Sequence, residues 1–145
     1  PLQVRQLKEL GYKGIILGSD SWGSSELLTL CGKDCEGLYF STHYAADAAT
    51  PAATRFINEY KTRYGHIPDD VAALTFDTFG LAREAFLAAN QTDRAALRDA
   101  LAHISNYEGV TGTMHFEPGS GDPIKSAVIV KIVDLSFHWF ANAQP

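Results

Sequence analysis

The chain has 145 residues, 46% of them apolar and 20% charged, and a formal net charge of −5. This composition supplies enough apolar surface for a packed core, which excludes disorder of the whole chain, and the length is that of about one domain. The acidic balance argues against non-specific nucleic-acid binding, which needs a basic surface, and no apolar run approaches the ~20 residues that span a bilayer.

The chain opens on Pro1 with no basic segment and apolar run behind it, so a processed product or a fragment is expected, any signal peptide being gone. Val4, Leu7 and Leu10 recur at helical spacing, and Gly11 ends the pattern. GIILG, residues 14–18, is a short apolar run of the kind expected for a parallel strand buried on both faces. The polar loop SDSWGSS, 19–25, follows, then a short helix over 26–30 with Ser24 or Ser25 as N-cap. GLYFSTHY, 37–44, reads as a second strand, and the small-residue connection AADAAT leads to Pro51.

Thr50 and Pro51 form an N-cap and first helical turn. The helix they start places Phe56, Ile57, Tyr60 and Tyr64 on one face and stops at Gly65. After the loop HIPDD, Asp69 or Asp70 caps a long helix over about 71–89. That helix carries Phe76, Phe79, Phe86 and Leu87, and Gly80 permits a close neighbour. Thr92 is expected to cap a third helix bearing Leu97, Leu101 and Ile104. From Val110 the period becomes two: Met114 and Phe116 share one face, Thr113 and His115 the other. The turn EPGSGDP, an apolar strand over 126–133 and a hairpin return at FHWF, 137–140, complete the chain. The order α-β-α-β-α-α-α-β-β-β is α/β. Three consecutive helices between strands do not fit one simply wound sheet, so the chain leaves one layer, builds part of another and returns.

No catalytic set, metal site or cofactor motif stands out. The five histidines are scattered, with none four residues from another. No G-x-S-x-G elbow is present, and GSDSWG is not a phosphate loop, since no lysine follows it and Asp20 would repel phosphate. Cys31 and Cys35 stand in a C-x3-C pair that neither completes a zinc site nor has thioredoxin-like spacing; a short disulfide loop and two free thiols both fit. The loop at Ser19, Asp20, Ser21, Trp22 and Gly23 is different. An acid beside an indole at a strand's C-terminal end can cradle a cationic group such as an ammonium, by charge-assisted hydrogen bonds and cation–π attraction. Set against this, Asp20 or a serine could simply cap the next helix. An enzymatic alternative pairs Asp20 with His43 or His138 for hydrolysis and needs a nucleophile and a base within hydrogen-bond reach.

GYKGIILGSDSW, CEGLYFSTHY, the segment from Pro51 to Phe86, and GVTGTMHFEPGSGDP occur in an order that resembles the C-terminal part of the branched-chain amino-acid binding proteins. These are extracytoplasmic solute-binding proteins of the type I periplasmic fold that serve ABC importers. The most specific pieces are FINEYKTRYGHIP, Phe56 to Pro68, in which Tyr60 and Tyr64 both stand near the aromatic position of the family's F-x5-Y-x3-G-x-x-P pattern, and the GVTG strand from Gly109 to Phe116. The family's AYDA helix segment appears as Thr75-Phe76-Asp77-Thr78, where phenylalanine removes a tyrosine hydroxyl.

The resemblance implies a partial type I fold. Residues 1–43 would belong to the C-terminal lobe, 44–125 to the N-terminal lobe, and 126–145 would return to the first. It implies a non-enzymatic receptor without cofactor. Asp20 would hold a ligand ammonium, with Trp22, Ser21 and Ser19 shaping the pocket, and a small amino acid or analogue and a membrane permease as partners. It also implies a periplasmic or extracellular location, where Cys31 and Cys35 would be joined. A related reading is a sensory domain for an amide or aromatic acid. The family's carboxylate-binding loops have no counterpart in these residues, and sheet edges and apolar helix faces left uncovered would drive self-association.

Overall fold

Two sheets organise the chain in the computed structural model, which describes residues 1–48, 50–117 and 119–144. Ala49 of the AADAAT connection, Pro118 of the EPGSGDP turn and Pro145 of the final segment lie outside the described residues.

The first half of the first sheet is built by α1 (Leu2–Glu9), β1 (Leu17–Gly18), α2 (Ser25–Cys31) and β2 (Tyr39–Thr42). β1 and β2 pair in parallel, Leu17 opposite Tyr39 and Gly18 opposite Phe40. Ser24 caps α2, its hydroxyl accepting the Glu26 N–H at 3.2 Å. A turn of 3-10 helix then carries the chain from Gly32 to Cys35, and a disulfide joins Cys31 to Cys35. Two expectations are corrected here. The GIILG strand shrinks to two residues, and it is not buried on both faces, for Ile15 is 77% and Leu17 73% exposed. It is the edge of its sheet, and no described element pairs with its outer side. In α1 only Val4 is buried, while Leu10 is exposed.

The middle of the chain is three helices: α3 (Pro51–Tyr64), α4 (Asp70–Ala89) and α5 (Arg94–Ala102). Each starts at an oxygen that accepts a backbone N–H from the first turn. Thr50 accepts from Ala53 at 3.2 Å, Asp69 from Ala72 at 2.8 Å and Asp93 from Ala96 at 3.0 Å. The last replaces the expected Thr92 cap: the neighbouring carboxylate supplies a charged acceptor at the positive end of the helix. α3 ends on Gly65 in the left-handed region (φ 79°), as its sequence suggested. Phe56 stacks with Tyr60 at 5.8 Å and with Phe76 of α4 at 4.7 Å between ring centroids. Phe79, Phe86 and Leu87 face outward, uncovered.

Five closing strands stand where three were expected. β3 (Tyr107–Gly109), β4 (Gly112–Phe116) and β5 (Pro123–Lys125) form an antiparallel sheet in that order. β6 (Ala127–Val133) and β7 (Ser136–Ala143) return to the first sheet, whose order is β1-β2-β6-β7. In β4 Met114 is buried while Thr113 and His115 are exposed, matching the period-two reading. The β6–β7 turn is two residues, Asp134 and Leu135, both at positive φ (50° and 54°). The Glu36 carboxylate steadies it by accepting the Asp134 N–H at 2.9 Å.

The first sheet thus combines strands from both ends of the sequence, and the second only strands from its middle. Each has its own core. Leu27, Cys35, Leu38, Phe40, Val130 and Ile132 centre the first, and Tyr44, Ala53, Phe56, Ala73 and Val110 the second.

Candidate functional site

Parallel pairing of β1 with β2 brings their C-terminal ends side by side, and the loops leaving those ends meet. After Gly18 the backbone makes a turn of 3-10 helix, Asp20–Trp22. Trp22 folds back over Gly18, where a Cβ would collide with the indole, and its ring lies 6.5 Å from that of Phe40. The indole therefore packs against the first core and anchors the loop. With that anchor set, Ser19, Asp20 and Ser21 are turned outward. The Ser19 and Ser21 hydroxyls bond to each other at 3.0 Å. One Asp20 carboxylate oxygen accepts the Ser21 N–H at 2.9 Å. The other lies 3.8 Å from Nε2 of His43, the residue after the end of β2.

Asp20 keeps most of its carboxylate accessible, at 62% side-chain exposure. It does not cap α2, a role that Ser24 takes. His43 has its Nδ1 buried with no partner, so the proton of a neutral ring is assigned to Nε2, facing Asp20. His138, the other histidine considered with Asp20, instead pairs with Asp47, at 3.3 Å. Among the described residues no hydrogen bond joins the Ser19 or Ser21 hydroxyl to a histidine.

Beside this loop, past Gly23, lies a cleft of about 430 Å³. It runs between the start of α2, the end of β2 and the α3–α4 loop, with Ser25, Phe40, Thr42, Tyr44, Asp70 and Phe137 in its walls. Gly23 matters because a Cβ there would come within 2.5 Å of the Asp70 carboxylate. The Thr42 hydroxyl donates to that carboxylate at 3.4 Å, spanning the two halves of the molecule. The Tyr44 hydroxyl is buried without a partner, and burial pushes its pKa up to about 12. None of Ser19, Asp20, Ser21 and Trp22 is among the residues lining this cleft. The sequence reading singled out the loop and offered His43 to Asp20 only as an enzymatic partner; it placed none of Thr42, Tyr44 and Asp70 at a site. The pairing of β1 with β2 is what brings His43, and not His138, to Asp20. Among the described residues no group of three or more His, Cys, Asp and Glu could hold a metal ion, and no helix is long and apolar enough to cross a membrane.

Comparison with known proteins agrees with this architecture. A family model described as periplasmic binding protein matches residues 2–136. The structure of the leucine-binding protein LivK from Thermotoga maritima superposes with a TM-score of 0.92 at 33% identity, covering 99% of this chain and 41% of that one. The branched-chain amino acid transporter substrate-binding protein LivJ from Streptococcus pneumoniae, solved with isoleucine, gives 0.81 at 23% identity, covering 97% of this chain and 40% of that one. A solute-binding protein from R. palustris, solved with benzoate, gives 0.79 at 15% identity, covering 98% and 39%. The latter two show a shared fold only. A search of curated protein sequences returns no significant match. The chain spans about 40% of the length of these solved relatives. With its α/β architecture of the type I periplasmic fold, the chain belongs to the periplasmic binding protein family, and it is similar to the branched-chain amino-acid substrate-binding proteins of ABC transporters.

Proposed function

We propose that the chain acts in an extracytoplasmic solute-binding protein that captures an amino acid, or a related small amphipathic molecule, between two lobes and delivers it to the permease of an ABC importer. Residues 1–43 and 126–145 would form part of one lobe and 44–125 part of the other. This division is supported by the two sheets, one drawn from both ends of the chain and one from its middle. Lobe closure on the ligand then shifts a pre-existing equilibrium toward the closed form. We read the protein as a receptor that releases its ligand unchanged. The family match supports this, as does the Ser19–Ser21 hydrogen bond, which leaves neither hydroxyl on a base.

The observation that carries the reading is the Asp20 carboxylate, accessible at the C-terminal end of β1 and held by a single backbone N–H. It can accept charge-assisted hydrogen bonds from an ammonium, with the Ser19 and Ser21 hydroxyls on the same loop and Trp22 anchoring that loop on the core. Titration calorimetry against a panel of amino acids, amides and aromatic acids tests it. A protein as long as the solved relatives is expected to bind an amino acid, and Asp20→Asn to weaken that binding by about 2–5 kcal/mol, the cost of leaving a buried ammonium unpaired. Equal affinity in the variant would overturn the assignment of Asp20. No response to any ligand of the panel would overturn the receptor reading itself. The 145-residue chain alone is expected to bind far more weakly, since the carboxylate-binding loops implied by the family are not among these residues.

A further inference from the structure

Outside the exposed loop, a buried carboxylate anchors a chain of hydrogen bonds that ends at the main-chain carbonyl of His43, whose ring lies 3.8 Å from Asp20. Asp77, on α4, is 2% exposed. It accepts the Val110 N–H at 2.8 Å, the Thr111 N–H at 2.9 Å and the Thr111 hydroxyl at 2.7 Å. Having donated its proton to Asp77, the Thr111 hydroxyl can only accept further, and it accepts from the Lys125 ammonium at 2.8 Å. Lys125 also donates to the Thr111 carbonyl at 3.0 Å and, with its third N–H, to the His43 carbonyl at 3.3 Å. All three ammonium protons are therefore used.

The last of these bonds crosses between the two halves of the fold. The β2–β6 pairing ends at Thr42, opposite Val128, so the sheet ladder does not hold His43. Lys125 itself sits at the end of β5, two residues before β6 returns to the first sheet. The ammonium thus ties two crossings and the β3–β4 turn at one point. Burying it costs solvation, which lowers its pKa, and the nearby Asp77 opposes that shift.

We propose that Lys125 is a positioning residue for the Asp20 site: seated on the Asp77–Thr111 pair, its ammonium fixes the main chain of the crossing at His43, and so holds the His43 imidazole against the Asp20 carboxylate. The inference rests on the reading of Asp20 as the ammonium acceptor. Fixing His43 limits the orientations open to an otherwise accessible carboxylate, and a preorganised acceptor loses less freedom when ligand arrives.

Two readouts test this separately. The first needs no ligand. NMR of the 145-residue chain at fixed pH follows the His43 ring signals on Asp20→Asn, in the parent and in Lys125→Met. The parent is expected to respond and the Lys125→Met background to lose the response. Should Lys125→Met fail to fold, the ammonium protons of the unmodified chain serve instead. Slow exchange with water and cross-peaks to His43 or Tyr44 are expected for the three-point seat, and fast exchange without such cross-peaks would overturn it.

The second readout is amino-acid affinity in a protein of the relatives' full length. There Lys125→Met is expected to weaken binding about tenfold, and to add nothing once Asp20 is already Asn, because the two act as one unit. A His43 response that survives Lys125→Met, or affinity losses that simply multiply, would overturn the proposal. Absence of amino-acid binding altogether would count against the Asp20 reading, while the ring signals still decide the role of Lys125.

Discussion

Tyr44 shows what one residue costs this fold. Its hydroxyl is buried without a partner at the wall of the cleft, and an unpaired buried polar group costs about 1–3 kcal/mol. Tyr44→Phe removes the group and keeps the ring, so it is expected to stabilise the chain by about 1 kcal/mol at neutral pH. The pH profile gives a second check. From about pH 10 the unfolded chain gives up this phenolic proton, while the folded chain keeps it until about pH 12. The folded state then binds more protons than the unfolded one, and stability falls across that window. Between those two pH values the loss from Tyr44 grows to about 2 kcal/mol. Tyr107 acts in the same sense, its pKa raised by burial and then by Asp77 and Glu84. Lys125 acts in the opposite sense. Burial lowers its pKa, so the unfolded chain holds that proton longer and stability gains as pH rises toward 10.5. Urea unfolding of Tyr44→Phe and parent at pH 7 and pH 11 isolates the Tyr44 part as a difference. A variant less stable than its parent at pH 7 would mean that the hydroxyl has a partner in solution.

Among the elements, α2 depends on a covalent staple. Cys31 ends the helix, the 3-10 turn brings Cys35 back, and both sulfurs sit within the first core beside Leu27 and Phe40. The closed loop is short, so the disulfide is expected to contribute about 2 kcal/mol by restricting the unfolded chain, less than a long loop would. An oxidising location preserves such a bond. Mass spectrometry of protein alkylated without reduction should find no alkyl group on the pair; two would mean free thiols and would remove this support for export. Most caps and stops were legible in the sequence because each depends on one side chain and its neighbours, as at Thr50 and Gly65 and, each as one of two candidates, at Ser24 and Asp69; the cap of α5 fell one residue beyond the expected Thr92. What depended on partners distant in sequence was not. β3 and β5 have three residues each, too few to show an alternation, and exist through their pairing with β4. The exposure of β1 follows from its place at a sheet edge, which the apolar run GIILG does not encode. For the same reason Asp20 and its serines could be singled out locally and His43 only as one of two histidines offered to Asp20, whereas Lys125 required the fold to bring residues 43, 111 and 125 together.

The molecule as a whole carries more apolar surface than its own sheets cover. Along α4, Phe76, Phe79, Phe86 and Leu87 are each about half exposed or more, and Phe79 reaches 73%. A groove of about 520 Å³ between α3 and α4 continues this face, bordered by Tyr60, Tyr64, Phe76 and Phe79. Covering one such aromatic contributes roughly 1.5–3 kcal/mol, so several together compare with the ~5–15 kcal/mol that holds a typical domain. Charge does not prevent two copies from meeting here. Arg63 and Glu59 border the groove side by side, offering both signs at its rim. A two-fold arrangement lets the same face cover itself. The 145-residue chain is therefore expected to self-associate, with a sedimentation-equilibrium mass that rises from monomer to dimer across the micromolar range. Phe79→Glu puts a charge at the most exposed position of the stripe and is expected to return the chain to monomer without loss of helical signal, because Phe79 belongs to neither core. An unmodified chain that stays monomeric at these concentrations and unfolds cooperatively would show that the α4 face tolerates water, and the self-association would be wrong.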